Sequence, residues 1–241
     1  MFSTSFLRTF SDQPTEVDKD VGSGRIEAIF WDNDGVLVDT ESLYFQATRE
    51  VLAQAGVVLT QELFVELFMV QGRGAWHLVD GAKYGPESVA RLRDKRNARY
   101  LELLTDSAKV IDGVEEVLAT LSGDYRMGIV TSSHRDHFEA IHRRSGLLRY
   151  FAFVLTREDY GHAKPDPEPY LLAVQRSALP KSACIVVEDT ERGLAAATGA
   201  GLRCIVIPNA LTSSCTFEGA CKILKDIRTL PSILADGLMA G

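Results

Sequence analysis

The chain has 241 residues, 46% of them hydrophobic and 24% charged, with a formal net charge of -7. That length can bury a full core, either as one large domain or as a domain carrying a smaller insertion. The acidic balance argues against a nucleic-acid or anionic-membrane binder, and no apolar run reaches the roughly 18 residues of a membrane-spanning helix. A small phosphorylated substrate stays open, because the local charge of a pocket matters more than the sum.

Residues 1–24 begin Ser/Thr-rich with one arginine, loosely like a targeting peptide. Asp12, Glu16, Asp18 and Asp20 follow at once and no continuous apolar core is present, so the stretch reads as an extension ending at Gly22, Ser23 and Gly24. An apolar run from Ile26 to Trp31 then stops at two carboxylates, Asp32 and Asp34, and a glycine, Gly35. This is the pattern of a short buried strand. Side chains alternate along a strand, so Asp32 and Asp34 share one side and Asn33 points away. Open α/β sheets build their sites at such carboxyl ends.

Helical spacing follows over 42–55, with Gly56 as its cap, and again over 61–70 and 86–104, where Pro86 suits a first turn. Between about 41 and 109 no strand pattern occurs, so residues 42–109 read as an inserted all-helical cap. The remainder alternates: helix 113–121, strand 126–130, helix 135–145, strand 151–155, helix 168–178, strand 183–187, helix 193–200 and strand 204–207. The expected architecture is therefore α/β, a Rossmann-like parallel sheet with helices on both faces, formed by residues 25–41 and 110–241. Cys184, Cys204, Cys215 and Cys221 lack paired metal spacing, and the first two lie in strand-like runs. Buried thiols of a reducing, cytoplasmic compartment are expected.

Chemistry collects at the strand ends. Asp32 and Asp34 are joined by Thr131 and Ser132, by Lys164 in the run His162-Ala163-Lys164-Pro165-Asp166-Pro167, and by Glu188 and Asp189. Acid-rich oxygen clusters suit Mg²⁺, which fills its shell with water and substrate phosphate. A carboxylate can attack phosphorus to give an aspartyl-phosphate, and a second carboxyl can serve as acid and then base. A cation and an ammonium would offset the repulsion between nucleophile and phosphate.

These four motifs, in this order, resemble those of the haloacid dehalogenase-like hydrolase superfamily, in its branch of sugar-phosphate phosphatases and β-phosphoglucomutases, over residues 26–207. The resemblance implies that Asp32 is nucleophile and Mg²⁺ ligand, and that Asp34 is general acid/base and a ligand through its carbonyl. Thr131 and the Ser132 amide would hold phosphate, Lys164 would bridge nucleophile and phosphate, and Asp189 would bind the metal with Glu188 supporting through its water shell. It further implies a phosphatase acting on a small phosphorylated metabolite, a sugar phosphate. With the charge balance, the expected partner is that substrate alone, with no nucleic acid and no membrane, and the expected state is a monomer or weak homodimer.

Three positions depart from the family pattern. Asn33 replaces an apolar residue. Tyr44 stands where the mutase has a histidine, and Ala75, near Arg73, where it has an arginine. A plain phosphatase is thereby favoured over a phosphoglucomutase-like transferase, and a catalytically silent metal- or phosphate-binding protein is the alternative outside catalysis. Other readings compete residue by residue. Residues 30–41 partly match a calcium loop, except that Phe30 takes the first ligand position. Thr131-Ser132-Ser133 and Glu188-Asp189 could be helix caps, and Lys164 a solvated loop lysine. Arg73, His77, Arg96 and Asn97 are candidates to contact the organic part of a substrate. His134 and His162 adjoin the motifs, Trp76 suits the core of the insertion, and Met69 and Met127 read as packing residues.

Overall fold

A computed structural model describes residues 25–79 and 83–237. The expected 1–24 extension lies outside the described residues. Strand β1 (Ala28–Trp31) is followed by the two-residue β2 (Val38–Asp39). Helix α1 (Glu41–Gln54) comes next, then α2 (Gln61–Phe64), which runs on as a π-helical turn over Val65–Val70, and the long α3 (Pro86–Ser107). After β3 (Lys109–Val110) the chain alternates α4 (Val114–Leu121), β4 (Arg126–Val130), α5 (Arg135–His142) and β5 (Phe153–Leu155). It ends with α6 (Glu168–Ser177), β6 (Cys184–Glu188), α7 (Glu191–Gly199), β7 (Arg203–Val206), β8 (Lys222–Ile223) and α8 (Leu230–Ala235).

Six strands form one parallel sheet in the order β5-β4-β1-β6-β7-β8. The central strand β1 is flanked by β4 and β6, with Trp31 opposite Ile129 on one side and Val187 on the other. All four of its residues are fully buried. Alternation divides the core: Ile29 and Trp31 pack with Met127, Ile129, Ile185, Val187, Phe138 and Ile141, while Ala28 and Phe30 pack with Val130, Val186, Tyr170 and Leu194 on the other face. Sheets covered on both faces take such continuous apolar strands.

The described residues of 41–107 contain no strand, and their own apolar cluster joins Val51, Leu52, Phe64, Leu67, Val79 and Leu92. Nothing in the sequence pattern marks β2 and β3, which pair antiparallel where the chain leaves and re-enters the sheet layer, Val38 opposite Val110 and Asp39 opposite Lys109. Strands of two residues are too short to show a period of two. β8 escaped for the same reason, and α8, at six residues, is under two helical turns and shows no clear period of about 3.6. The helix read over 135–145 stops at His142, and the strand read from 151 begins at Phe153.

The calcium-loop alternative fails, since Phe30 is a fully buried β1 residue. Cys184 and Cys204 are buried free thiols as expected, whereas Cys215 is half-buried and Cys221 exposed. No described helix is long and apolar enough to cross a membrane.

Candidate active site

The ends of β1, β4 and β6 converge because parallel strands terminate on one edge. Asp32 is 8% exposed, and its Oδ1 accepts a 2.6 Å bond from Lys164 Nζ. The same ammonium donates to Glu188 Oε1 at 2.7 Å and to the Val130 carbonyl at 2.9 Å, so all three of its protons are used. Lys164 is therefore a buried lysine and not a solvated one. Tyr170 also donates to Glu188 Oε1, at 2.7 Å, while the Asp189 amide and the Thr190 hydroxyl donate to its Oε2. Gly193 makes room for this carboxylate, because a Cβ there would lie 1.8 Å from the Glu188 carboxyl carbon.

Asp189 is fully buried. Its Oδ2 accepts from Asn209 Nδ2 at 2.7 Å, and its Oδ1 has no partner. Asn209 Nδ2 also reaches Glu41 Oε2, at 2.5 Å. Gly35, at φ 87°, closes the wall, since a Cβ there would fall 2.2 Å from Asp189 Oδ2. Asp32, Glu188 and Asp189 bring carboxylate oxygens within 4.8 Å of one another. Burial raises the Asp32 carboxyl well above the usual range, with Glu188 and Asp34 adding to it against Lys164. Asp189 is raised likewise by burial, then by Glu41 and Asp32. Burial and nearby acids push Glu41 up to about 8. Burial alone would lower Lys164, but Asp32 and Glu188 carry it above the ordinary lysine value. One ammonium among this many acids leaves an excess of negative charge. Together with the orphaned Asp189 oxygen, that is the donor set a hard divalent cation fits.

Asp34 belongs to a different network. Its Oδ1 accepts from Thr40 at 2.6 Å, and its Oδ2 from Thr131 at 2.9 Å and Ser133 at 2.8 Å. Thr131 is wholly buried, and its hydroxyl also takes the Ser133 amide. Its reading as a simple helix cap does not hold: His134 is the N-cap of α5 and makes no side-chain cap bond. Nor do the acids cap α7, whose cap is Thr190, accepting from Gly193 N. Asn33 is turned away from Asp32, as alternation requires, and is fully buried on the α5 side, where it meets His142 Nε2 at 2.7 Å.

Above these groups lies a cavity of about 300 Å³, lined from the sheet side by Asp32, Asp34, Ser132, Ser133 and Lys164. From the helical side Tyr44, Phe68, Met69, Arg96, Asn97 and Tyr100 reach it. Arg96 is 8% exposed, its guanidinium 4.4 Å from the Tyr44 ring centre; Nε donates to Asn97 and Nη1 has no partner. Met69, read as a packing residue, lines this cavity, whereas Met127 is core. Arg73 and His77 are exposed and bond each other, outside the lining. His134 sits at the cavity edge, exposed and bonded to Glu158 at 2.8 Å. His162 is exposed and holds Glu168. Trp76 is half-buried against the helical cluster, with Arg96 over its ring.

Several groups carried no sequence signal: Tyr170, Asn209, Thr40, Ser133 as a side chain, His137 and Arg192. His137 packs edge-on against Tyr100 at 5.1 Å and lines the cavity. Arg192, on α7, donates to the Lys164 carbonyl and, at 3.2 Å, to the Phe68 carbonyl of the π turn. A Cβ on Gly72 would strike this guanidinium.

A fold and a site of this kind define a class. The family model described as haloacid dehalogenase-like hydrolase matches residues 29–207, and the chain belongs to that family. Among curated proteins it is similar to the phosphorylated carbohydrates phosphatase of Thermotoga maritima, 31% identical, covering 73% of this chain and 82% of the relative. It is 29% identical to the fructose-1-phosphate phosphatase YqaB of Escherichia coli K12, over 74% of this chain and 94% of that protein. The solved structure of CbbY from Rhodobacter sphaeroides in complex with phosphate superposes with a TM-score of 0.72 at 27% identity, covering 85% of this chain and 96% of that one. The chain is thus a hydrolase, and the two curated relatives above are named as phosphatases.

Proposed function

We propose that the protein is a Mg²⁺-dependent phosphomonoester hydrolase acting on a small phosphorylated metabolite, a sugar phosphate, through an aspartyl-phosphate on Asp32. The observation that carries this reading is the buried Asp32–Lys164 contact beside an acid, Asp189, with an oxygen left unpartnered. Asp32, Asp189 and the Asp34 carbonyl would hold Mg²⁺, with Glu188 supporting, and the bound ion would neutralise charge on the phosphate oxygens. An Asp32 oxygen attacks phosphorus, the P–O bond to the alcohol breaks, and Asp34 gives its proton to the departing oxygen. Asp34 then takes a proton from water, whose oxygen attacks the same phosphorus, and Asp32 and inorganic phosphate are released. Lys164 keeps the nucleophile oriented and balances charge. Thr131, now bonded to Asp34, and the Ser132 amide receive the phosphate oxygens.

Residues 42–109 act as the cap in this reading, with hinges near 40–41 and 109–110, excluding bulk water during attack. Arg96 and Asn97, which reach the cavity, contact the organic part of the substrate; Arg73 and His77 do not. The relatives' named substrates, phosphorylated carbohydrates and fructose 1-phosphate, support the sugar-phosphate class. Tyr44 lies in the cavity packed under Arg96, and Ala75 is buried, so neither supplies the basic side chain, histidine or arginine, that a phosphoglucomutase-like transferase has there.

The test is release of inorganic phosphate from a panel of sugar phosphates with Mg²⁺, by wild type and by Asp32→Asn. The expected result is turnover that the variant loses. Metal binding without turnover of any ester overturns the enzyme reading in favour of a silent binding protein. Interconversion of hexose 1- and 6-phosphates outpacing phosphate release would favour the transferase.

A further inference from the structure

Behind Asp34 runs a buried chain of polar groups that the reaction above does not use. Ser145 Oγ accepts from the Leu147 amide at 3.2 Å and lies 2.8 Å from His142 Nδ1. His142 Nε2 lies 2.7 Å from Asn33 Oδ1, and Asn33 Nδ2 donates to Asp34 Oδ2 at 3.3 Å. His142 is 5% exposed and Asn33 fully buried, so no water stands ready to satisfy either.

The donor directions in this chain follow from its ends. Asp34 Oδ2 accepts only, which puts the amide of Asn33 beside it and the Asn33 carbonyl oxygen toward His142. That oxygen requires a proton on Nε2. Burial lowers the His142 pKa to about 4, so the ring is neutral and carries that one proton. Nδ1 must then accept, and the Ser145 hydroxyl supplies its donor. Each bond therefore points the same way, from Leu147 through Ser145, His142 and Asn33 to one oxygen of Asp34.

The two oxygens of Asp34 end up unequal. Oδ2 faces three donors, from Thr131, Ser133 and Asn33, while Oδ1 has Thr40 alone. A carboxyl proton avoids an oxygen crowded by donors and settles on the other. Thr131 and Ser133 belong to the strand end that receives phosphate. If Thr131 turns to the phosphate, Asn33 remains to hold Oδ2 from behind. We infer that Asn33, locked by His142 and Ser145, is a positioning residue that reserves Asp34 Oδ1 as the oxygen that carries the proton to the leaving group. This rests on the proposed role of Asp34 as general acid.

The experiment compares two esters in the same enzyme, an alkyl phosphate, whose alcohol needs a proton to depart, and 2,4-dinitrophenyl phosphate, whose phenolate does not. The ratio of the two kcat/KM values reports only the steps up to departure of the alcohol or phenolate and is independent of the folded fraction, so a merely structural defect leaves it unchanged. Asn33→Leu and His142→Phe are each expected to lower the alkyl kcat/KM by about 10-fold, a part of what general acid catalysis contributes, with the aryl kcat/KM held within about 2-fold. His142→Gln keeps an N–H donor and is expected to recover most of the loss. The double variant Asn33→Leu/His142→Phe is expected to be no worse than either single one, because both cut one chain. Ser145→Ala, at the periphery, covers the case in which the buried variants do not fold, with an expected selective loss of about 2- to 3-fold. An unchanged alkyl-to-aryl ratio in every variant that folds, Ser145→Ala included, overturns the inference, as do multiplying losses in the double variant. A wild type that hydrolyses neither ester refutes the proposed function, and the relay's role with it.

Discussion

Asp189→Asn sets stability against metal binding, and the structure fixes the sign of both. Asp189 is fully buried among Glu41, Asp32 and Glu188, with one oxygen unbonded. Two unit charges within the 4.8 Å that separates these ligand oxygens repel by about 3.5 kcal/mol at an effective dielectric of about 20. Partial protonation already relieves part of this, since burial and the neighbouring acids raise the Asp189 pKa. The amide keeps the size of the side chain and its acceptor for Asn209. In metal-free buffer the variant is expected to be more stable by about 1–2 kcal/mol, raising Tm by roughly 2–8 °C for a chain of this size. Adding Mg²⁺ tests the other half. A ligand at about a hundred times its Kd stabilises by about 2.7 kcal/mol, and that shift, expected in wild type, should vanish in the variant. Thermal unfolding with and without Mg²⁺ measures both. A metal-free variant less stable than wild type, with the Mg²⁺ shift intact, refutes the argument that this pocket is built around missing positive charge.

Three further predictions concern groups around the cavity. Arg192→Ala removes two bonds that tie α7 to the Lys164 loop and to the π turn; amide exchange should speed up over residues 65–74 and stay unchanged in β1 and β6, and equal exchange in both proteins counts against the tie. Glu41 has its folded pKa raised from 4.5 to about 8 by burial, so between those values the folded state holds more protons and stability falls as pH rises. Glu41→Gln should flatten the fall of Tm across that window in metal-free buffer, and parallel slopes would show another group responsible. Arg96→Met removes the unpartnered guanidinium nitrogen from the cavity; KM for a sugar phosphate should rise roughly 10-fold, the worth of one bond to a charged group, with kcat little changed. An unaltered KM would place the substrate's organic part elsewhere.

The edge that carries the candidate site was legible because parallel strands bring their ends together whatever lies between them. Asp32, Thr131, Glu188 and Asp189 each sit at or near the end of an apolar run, and Lys164 joined them on its chemistry. Alternation also put Asn33 on the opposite side from Asp32. Its partner, His142, was not legible: it lies on a helix more than a hundred residues away in sequence, and a buried histidine on an apolar face looks like any other core residue. Tyr170 and Asn209 were hidden similarly, one as part of the apolar stripe of α6, the other in a loop. The π turn at Val65–Val70 and the ribbon of β2 and β3 are set by tertiary packing, and their lengths leave no periodicity to read.

That ribbon bears on how the chain assembles. Strand β1 must find β4 roughly a hundred residues later, and closing a loop of that length costs entropy that grows slowly but is met before any pairing is gained. The helices between them are local in sequence and share their own apolar cluster. Once they pack, β2 and β3 lie side by side, and the long loop shrinks to a short tether. The insertion that shapes the cavity is then also a splint, bringing the two central strands within reach before the sheet exists.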